Sequence, residues 1–179
     1  MVAACDNRRL HVGGRSAQEW IAAVRDSGAS RTDAVAAIAH LAAESPRSAS
    51  AIEEALRDPN PAVRLLVLDG IGTAGATVQF MAVERLERVL LVDDVTQVRA
   101  RAAWALGRTT AGEPNAVASL TVALRDTAAA VRRAAAYALG AVGSSARMSA
   151  GSLSALRKAP DSLVRRAASE ALETLRLAR

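Results

Sequence analysis

Aromatic residues are nearly absent from this chain of 179 residues, of which 2% are Phe, Trp or Tyr. They are Trp20, Phe80, Trp104 and Tyr137. Because 51% of the residues are nevertheless apolar, the core must be built from Ala, Val and Leu, which suits closely packed helices better than sheets. The length is enough for one domain of ordinary size with a core of its own.

Cysteine and histidine are also scarce, which limits the chemistry that the chain can perform. Cys5 is the single cysteine, so no disulfide can form within the chain. His11 and His40 are the two histidines, and together with one cysteine they do not make a metal site. No Ser/His/Asp grouping has the spacing that nucleophilic catalysis needs. We therefore expect no enzymatic activity, no catalytic residue, no cofactor and no metal ligand.

No apolar run is long enough to span a membrane. The start of the chain, Val2-Ala3-Ala4-Cys5, resembles a bacterial lipoprotein cleavage box, in which the cysteine receives lipid, but here Met1 alone precedes it. We expect residues 1–15 to form a disordered or leader-derived tail. As it stands, the chain predicts a cytoplasmic protein. The alternative is a cell-envelope lipoprotein lipidated on Cys5, if the chain is truncated just before that residue.

Charge is distributed unevenly along the chain, whose formal net charge is +5. Residues 1–94 carry 10 Arg against 13 Asp and Glu, whereas residues 95–179 carry 13 Arg and Lys against 5 Asp and Glu. An anionic partner would most naturally meet the second half, because long-range attraction follows the local excess of charge.

A Val-Arg dipeptide recurs four times, at intervals of 35, 33 and 33 residues. Seven residues before each of the first three valines, a leucine begins the pattern Leu-x-Asp. The fourth copy reads Leu156-Arg157-Lys158, has one extra residue and lacks the acid. A match at this many offsets indicates an internal repeat. The valines are Val63, Val98, Val131 and Val164.

Each repeat predicts two helices, A and B. From each valine, apolar or small residues recur at i+4 and i+8, which is the spacing of one helical face. Position i+7 is always small, so a neighbouring helix can approach closely. Asn60 before Pro61 predicts a helix N-cap, and Asp94 with Gln97 predicts a capping box. The glycines at i+9 predict helix ends; they are Gly72, Gly107 and Gly140.

The pattern continues upstream in a degenerate form, as expected of an end unit. The stretch from Ser16 to Glu19 is a capping box that opens a helix. The sequence therefore predicts about five helix pairs. Their approximate bounds are 16–44, 46–73, 76–109, 113–143 and 147–177.

The succession of Leu-x-Asp, Val-Arg and Ala-x-x-x-Leu-Gly resembles the HEAT-like repeats first described in phycobilisome lyases, over roughly residues 16 to 177. The resemblance implies an all-α fold, a right-handed α-solenoid of about five antiparallel helix pairs. It also implies one repeat domain over residues 16–179, with helix B lining the concave face. The chain lacks the His-Glu pairs of the HEAT-repeat hydroxylases that bind di-iron. The fold by itself implies little about function.

The arginines of the Val-Arg dipeptides form a column, which we call the arginine ladder. An arginine fork can satisfy several acceptors at once, so we expect a structural role, with each guanidinium bonded to a Leu-x-Asp aspartate and to loop carbonyls. The alternative is an anion-binding stripe. The ladder arginines are Arg64, Arg99, Arg132 and Arg165, and the aspartates are Asp58, Asp93 and Asp126.

Positions i+2, i+3, i+6 and i+10 of helix B fall on one side of the helix, roughly 200° to 300° from the valine, and the repeat does not constrain them. In the second unit they include Leu65, Leu66 and Asp69. Further along they combine aromatic rings with arginines, as protein-binding hot spots do. The alternative is that the rings cover a neighbouring helix. The candidate partner-binding residues, which we call the contact strip, are Arg101, Trp104, Arg108, Arg133, Tyr137 and Arg166.

The interpretation that these features favour is a monomeric, non-enzymatic scaffold or adaptor that binds an acidic protein or peptide segment in its concave groove. One alternative is nucleic-acid binding, although a tract of about six arginines gives only a short footprint. The other alternative is a lyase or chaperone-like subunit acting on a partner protein, which only the resemblance suggests.

Overall fold

The computed structural model describes residues 15–25, 31–44, 46–77, 83–110 and 112–177. Within these ranges the chain forms ten α-helices and no β-strand, which confirms the predicted all-α fold. Cys5, His11 and the predicted tail up to residue 14 lie outside the described residues. The helices are α1 (Ala17–Arg25), α2 (Arg31–Glu44), α3 (Pro46–Ala55), α4 (Pro61–Ala74), α5 (Val83–Val92), α6 (Thr96–Thr109), α7 (Pro114–Ala123), α8 (Ala129–Val142), α9 (Ala150–Leu156) and α10 (Ser162–Leu177).

The described helices form five A–B pairs, in which α2, α4, α6, α8 and α10 are the B helices. By their contacts the residues divide into two compact units, Met1–Met81 and Ala82–Arg179. In the first unit α2 packs against α4, and in the second α6 packs against α8, which packs against α10. A single repeat domain over residues 16–179 stays a prediction.

The core consists of the small and branched apolar residues that the repeat predicts. The valine that begins each B-helix pattern is fully buried in all four copies. At i+7, Ala105, Ala138 and Ala171 are 0%, 4% and 2% exposed. Of the described aromatic residues, Trp20 and Trp104 are half-buried and Tyr137 is exposed. Close packing of alanine and valine therefore replaces the aromatic rings that fill most cores.

Two of the three predicted N-terminal caps are confirmed. The Asn60 side chain accepts a bond from the Ala62 amide at 2.9 Å, at the start of α4. The Ser16 amide donates to Glu19 Oε2 at 2.6 Å, and the Glu19 amide donates to Ser16 Oγ at 3.3 Å. These bonds satisfy amides that a helix start leaves without an intrahelical partner.

The prediction that the recurring glycines end the B helices is wrong. Gly72, Gly107 and Gly140 lie inside α4, α6 and α8. A Cβ atom added at Gly107 would lie 2.7 Å from Ala138 Cβ and 2.8 Å from Ala138 Cα on the next B helix. The same atom at Gly140 would lie 3.1 Å from Ala171 Cα. Gly107 and Gly140 therefore permit two helices to approach each other at the i+7 alanine.

Glu87 on α5 is a half-buried carboxylate in an unfavourable setting. Its Oε1 atom is buried and has no hydrogen-bond partner among the described residues. Burial raises the pKa of Glu87, and the nearby negative charges of Glu113 and Glu84 raise it further. The folded chain therefore holds the Glu87 proton more tightly than the unfolded chain does. Stability falls as the pH rises from the unfolded pKa through the folded pKa, and remains lower above that range.

We expect Glu87→Gln to raise the free energy of unfolding at pH 7 by an amount on the order of 0.5 kcal/mol, because the charge that is disfavoured there is removed. Urea unfolding at pH 7 and at pH 3 measures the effect, which should vanish at pH 3, where the glutamate is protonated in both states. Glu173→Gln, at an exposed position of α10, is the control. A Glu87→Gln variant that is less stable at pH 7 would contradict this assignment.

Candidate functional site

The ladder arginines stand near the starts of the B helices and bond to the preceding A–B turns. Arg132 Nη1 lies 2.7 Å from the Asp126 carbonyl oxygen and 2.8 Å from that of Thr127. The acceptors are the backbone carbonyl oxygens six and five residues before each arginine. Each guanidinium therefore links the A–B turn to the helix that follows it. The corresponding bonds are made by Arg64, Arg99 and Arg165.

Arg99 also joins one repeat to the next. Its Nε lies 2.9 Å from Asp126 Oδ2 and its Nη2 lies 3.1 Å from Asp126 Oδ1. The two side chains are only 13% and 14% exposed. This two-bond fork orients both groups and links the turn before α6 to the turn before α8.

The pKa of Arg99 is raised and the pKa of Asp126 is lowered, as expected for two groups that form an ion pair. The hydrogen bond with Asp126 is the largest cause that raises the pKa of Arg99. Burial is the largest influence on the pKa of Asp126 and raises it, but the bonds from Arg99 and from the Ala128 amide, together with the Arg99 charge, outweigh burial. The pKa of Asp126 therefore lies below its usual value, and the carboxylate is ionised at neutral pH.

The Leu-x-Asp aspartates have a second role that sequence reasoning missed, because each one shapes its own turn. Asp58, Asp93 and Asp126 accept a bond from the amide two residues further on, at 2.8, 2.9 and 2.8 Å. Such a bond closes an Asx turn. The predicted capping box of Asp94 and Gln97 is wrong, because α6 begins at Thr96, after Val95, whose amide bonds to Asp93 instead.

Asp161 is an acidic residue that sequence reasoning did not single out in the fourth copy. Its Oδ1 accepts bonds from the Leu163 and Val164 amides at 2.8 and 3.0 Å. The bond from Val164 is the largest cause of its lowered pKa, to which the charges of Arg133 and Arg132 also contribute. Asp161 stands three residues before Val164, as Asn60 stands before Val63, and its carboxylate lies near the α8 arginines. An aspartate directly before a predicted helix is an N-cap signal that could have found it.

The contact strip lies entirely on α6, α8 and α10 of the second compact unit. Trp104 is half-buried, and the guanidinium carbon of Arg101 lies 5.2 Å from the centroid of its ring. Tyr137 is 39% exposed. Arg101, Arg108 and Arg166 are exposed, whereas Arg133 is half-buried. The structure therefore brings both rings and the arginines to the surface of three consecutive B helices.

The positions predicted to accompany the contact strip are not all exposed. Leu66 on α4 and Ala167 on α10 are fully buried, so the i+3 column is not open in every repeat. Four residues after Ala167, Ala171 lies in close contact with Gly140 of the preceding B helix. Asp69 and Leu65, which belong to the first compact unit, are half-buried.

Within the ranges that the structure describes, no group of three or more His, Cys, Asp or Glu residues could hold a metal ion. His40 is an exposed residue of α2. No helix among the described residues is both long and apolar enough to cross a membrane.

Comparison with known proteins identifies the repeat. The family model described as HEAT repeats matches residues 83–173. An engineered protein of known structure is 20% identical with a TM-score of 0.61, over 90% of this chain and 80% of that chain. A designed armadillo repeat protein in complex with the peptide (KR)4 is 19% identical with a TM-score of 0.61, over 89% of this chain and 82% of that chain. At these identities the likeness concerns the fold alone. No curated protein matches the chain.

Proposed function

The chain belongs to the HEAT-repeat family, whose fold is typical of protein-binding scaffolds, and from this premise we propose that it is a non-enzymatic scaffold or adaptor that binds an acidic protein segment on the contact strip. The proposal concerns α6, α8 and α10, whose surfaces lie side by side in one compact unit. The repeats supply a rigid support, and the side chains on it supply the recognition.

The observation that carries the proposal is that the exposed ring of Tyr137 and the half-buried ring of Trp104 lie among arginines on successive B helices. Tyr137 and Trp104 occupy the same repeat position on consecutive helices, and Arg101 lies over the Trp104 ring. Trp, Tyr and Arg side chains each combine a large contact area with a planar polar group. They are enriched among the residues that dominate binding energy at interfaces. A guanidinium that stacks on a ring is held in place and can still bond to a carboxylate through its edge.

The charge of the strip indicates the chemistry of the partner. The designed armadillo repeat protein of similar fold is in complex with the basic peptide (KR)4. The contact strip instead carries four arginines. Complementary charge favours association and selects partners, so we propose an acidic segment for this chain.

We expect Tyr137→Ala to weaken the binding of an acidic peptide by about tenfold, because truncating an exposed anchor removes contact area from the interface. The free energy of unfolding should change by less than about 1 kcal/mol, since the ring is partly in solvent. Fluorescence anisotropy of a labelled hexaglutamate peptide, titrated with the full chain in low salt, measures the dissociation constant. Urea unfolding measures stability.

Val122→Ala is the matched control, because Val122 is 59% exposed and lies on α7 rather than on a B helix. This variant should bind the peptide as the wild type does. Equal loss in both variants, or no binding by the wild type, would overturn the proposal. Tight binding of duplex DNA with a steep salt dependence, unaffected by Tyr137→Ala, would favour the nucleic-acid alternative.

A further inference from the structure

The A–B turn before α10 lacks the aspartate that the three preceding A–B turns carry. In each of those turns an aspartate stands two residues after the leucine of the repeat and six residues before the ladder arginine. Counted forward from Leu156, its place is taken by Lys158, and counted back from Arg165, by Ala159. By either count the carboxylate is missing from this turn, and a cation stands in or beside its place. The aspartates of the preceding turns are Asp58, Asp93 and Asp126.

Arg99 shows what a ladder arginine does with such a carboxylate. Its Nη1 atom is held by the carbonyl oxygens of Asp93 and Asp94, at 2.9 and 3.4 Å. Its Nε and Nη2 atoms bind the carboxylate of Asp126 in the next turn, at 2.9 and 3.1 Å. A ladder arginine that is held through Nη1 therefore binds an aspartate through its other two nitrogens.

Arg165 has the same arrangement, but its other two nitrogens are open. Its Nη1 atom lies 2.8 Å from the Ala159 carbonyl oxygen and 2.7 Å from that of Pro160, and the residue is exposed. Neither Nε nor Nη2 of Arg165 bonds to a residue that the structure describes. Because two bonds already orient the guanidinium, a carboxylate that binds there orders little additional structure.

The surroundings of Arg165 are basic. Arg157 and Lys158 are exposed in the same turn, and neither forms an ion pair with another described residue. Asp161 is the one acidic residue of the turn, and its Oδ1 atom accepts bonds from two backbone amides at the start of α10. Within the described ranges Asp161 forms no ion pair with these three cations. A carboxylate that approaches Arg165 is therefore attracted by three positive charges.

We propose that the turn before α10 is a carboxylate-binding site, in which Arg165 holds an aspartate or glutamate of an acidic protein segment through Nε and Nη2. The partner thereby supplies the carboxylate that Asp126 supplies to Arg99 within the chain. Arg157 and Lys158 strengthen the attraction, because they lie in the same turn. We call Arg157, Lys158 and Arg165 the end site. The inference goes beyond the proposed function, because none of the three residues belongs to the contact strip.

The partner that fits the end site is an acidic segment and not another B helix packed on α10. On α8 the next B helix lies against Gly140, where an added Cβ would be 3.1 Å from Ala171 Cα. The residue of α10 that corresponds to Gly140, 33 positions further on, is Glu173, which is exposed. Its side chain obstructs a helix that approaches α10 as closely as α10 approaches α8.

Lys158 permits a specific test, because it is the single lysine of the chain. A carbodiimide joins a carboxylate to an amine that lies against it, without a spacer. The full chain is treated with carbodiimide in low salt together with hexaglutamate whose two ends are blocked. Mass spectrometry of the digested product gives the yield of peptide on Lys158. The α-amino group of the chain is the other amine, and its yield measures random encounters in the same sample.

Arg165→Gln should lower the peptide yield on Lys158 by about threefold, because the carboxylate loses the group that holds it. Arg157→Gln should lower the yield by about twofold through the loss of attraction. This second variant keeps the carbonyl bonds of Arg165, so it tests the site even if Arg165→Gln unfolds. Circular dichroism shows whether each variant is folded.

Arg176→Gln is the matched control, because Arg176 is exposed in the last turn of α10 and its substitution changes the net charge equally. It should alter the yield on Lys158 by less than about 1.5-fold. Unchanged yields in both end-site variants would overturn the inference. An equal loss in Arg176→Gln would do the same, because it would show an effect of net charge alone.

Tyr137→Ala separates the end site from the contact strip. This variant weakens binding to the contact strip, and it should leave the yield on Lys158 within about twofold of the wild type, since distant sites act independently. If Tyr137→Ala lowers that yield as much as Arg165→Gln does, the peptide reaches Lys158 only from the contact strip, and a separate site is ruled out. Failure of the end site in any of these measurements leaves the proposed function standing.

Discussion

Arg99→Ala is expected to lower the free energy of unfolding by about 2–3 kcal/mol, which is somewhat less than the cost of breaking a fully buried ion pair. The substitution removes two bonds to Asp126, at 2.9 and 3.1 Å, and a bond to the Asp93 carbonyl oxygen at 2.9 Å. It also leaves the largely buried Asp126 carboxylate without its guanidinium. Urea unfolding followed by circular dichroism at pH 7 measures the loss.

Arg165→Ala serves as the control for this prediction. Arg165 bonds to the Ala159 and Pro160 carbonyl oxygens at 2.8 and 2.7 Å, but it is exposed and its described contacts include no acid. Its loss should lower stability by about 0.5–1 kcal/mol, the usual net value of hydrogen bonds near solvent. A similar loss in both variants would mean that the link between repeats adds nothing beyond the bonds within each turn.

The pH dependence of the Arg99→Ala effect follows from the lowered pKa of Asp126. A carboxyl group with a lower pKa in the folded chain contributes stability above its unfolded pKa, about 3.9 for aspartate. That contribution is lost as the pH falls through the folded pKa. The difference in stability between the wild type and Arg99→Ala should therefore be complete at pH 7 and shrink below about pH 4. A difference that stays constant down to pH 2 would contradict a role for the Asp126 charge.

Gly107→Ala is expected to lower the free energy of unfolding by about 2 kcal/mol, within the usual range for overpacking. The added Cβ would lie 2.8 Å from Ala138 Cα, so the backbones of α6 and α8 must separate to admit it. Alanine is intrinsically the better helix former by about 1 kcal/mol, and the steric effect has to exceed that gain. Thermal or urea unfolding of the full chain provides the measurement.

Gly151→Ala offers the opposite expectation at a glycine of α9, where a Cβ would meet nothing within 4 Å. This variant should be as stable as the wild type or more stable by up to about 1 kcal/mol, because only the helix propensity changes. If Gly107→Ala is also stabilising, the close approach of α6 and α8 through that glycine is not present in the folded protein.

The caps and buried columns are the features that could be read from local pattern. Asn60 before Pro61 specifies a helix start whatever surrounds it, because the side chain bonds to an amide two residues away. The spacing of Val63 and its repeats predicts that they lie in the core, since the helical period fixes the angle of each side chain around the helix axis. The same arithmetic placed Tyr137 on the outside, where it is 39% exposed.

Features that depend on residues far apart in sequence needed the tertiary structure. Glycine at i+9 is typical of a helix end. Only the position of Ala138 on the neighbouring helix shows why Gly107 lies inside α6. Likewise Arg99 reaches an aspartate 27 residues away, and the charge of Arg133 on α8 helps to lower the pKa of Asp161, which precedes α10.

The sequence by itself thus determined that the chain is helical and repetitive and that the valine of each Val-Arg repeat is buried, because these depend on periods within a few residues. The tertiary structure decided how closely successive helices approach, which arginine bridges two repeats and which strip positions stay open. Ala167 shows the difference, since its i+3 position on α10 predicts exposure but the residue is fully buried. A helical period specifies direction around an axis, whereas burial also depends on the distance to the next axis.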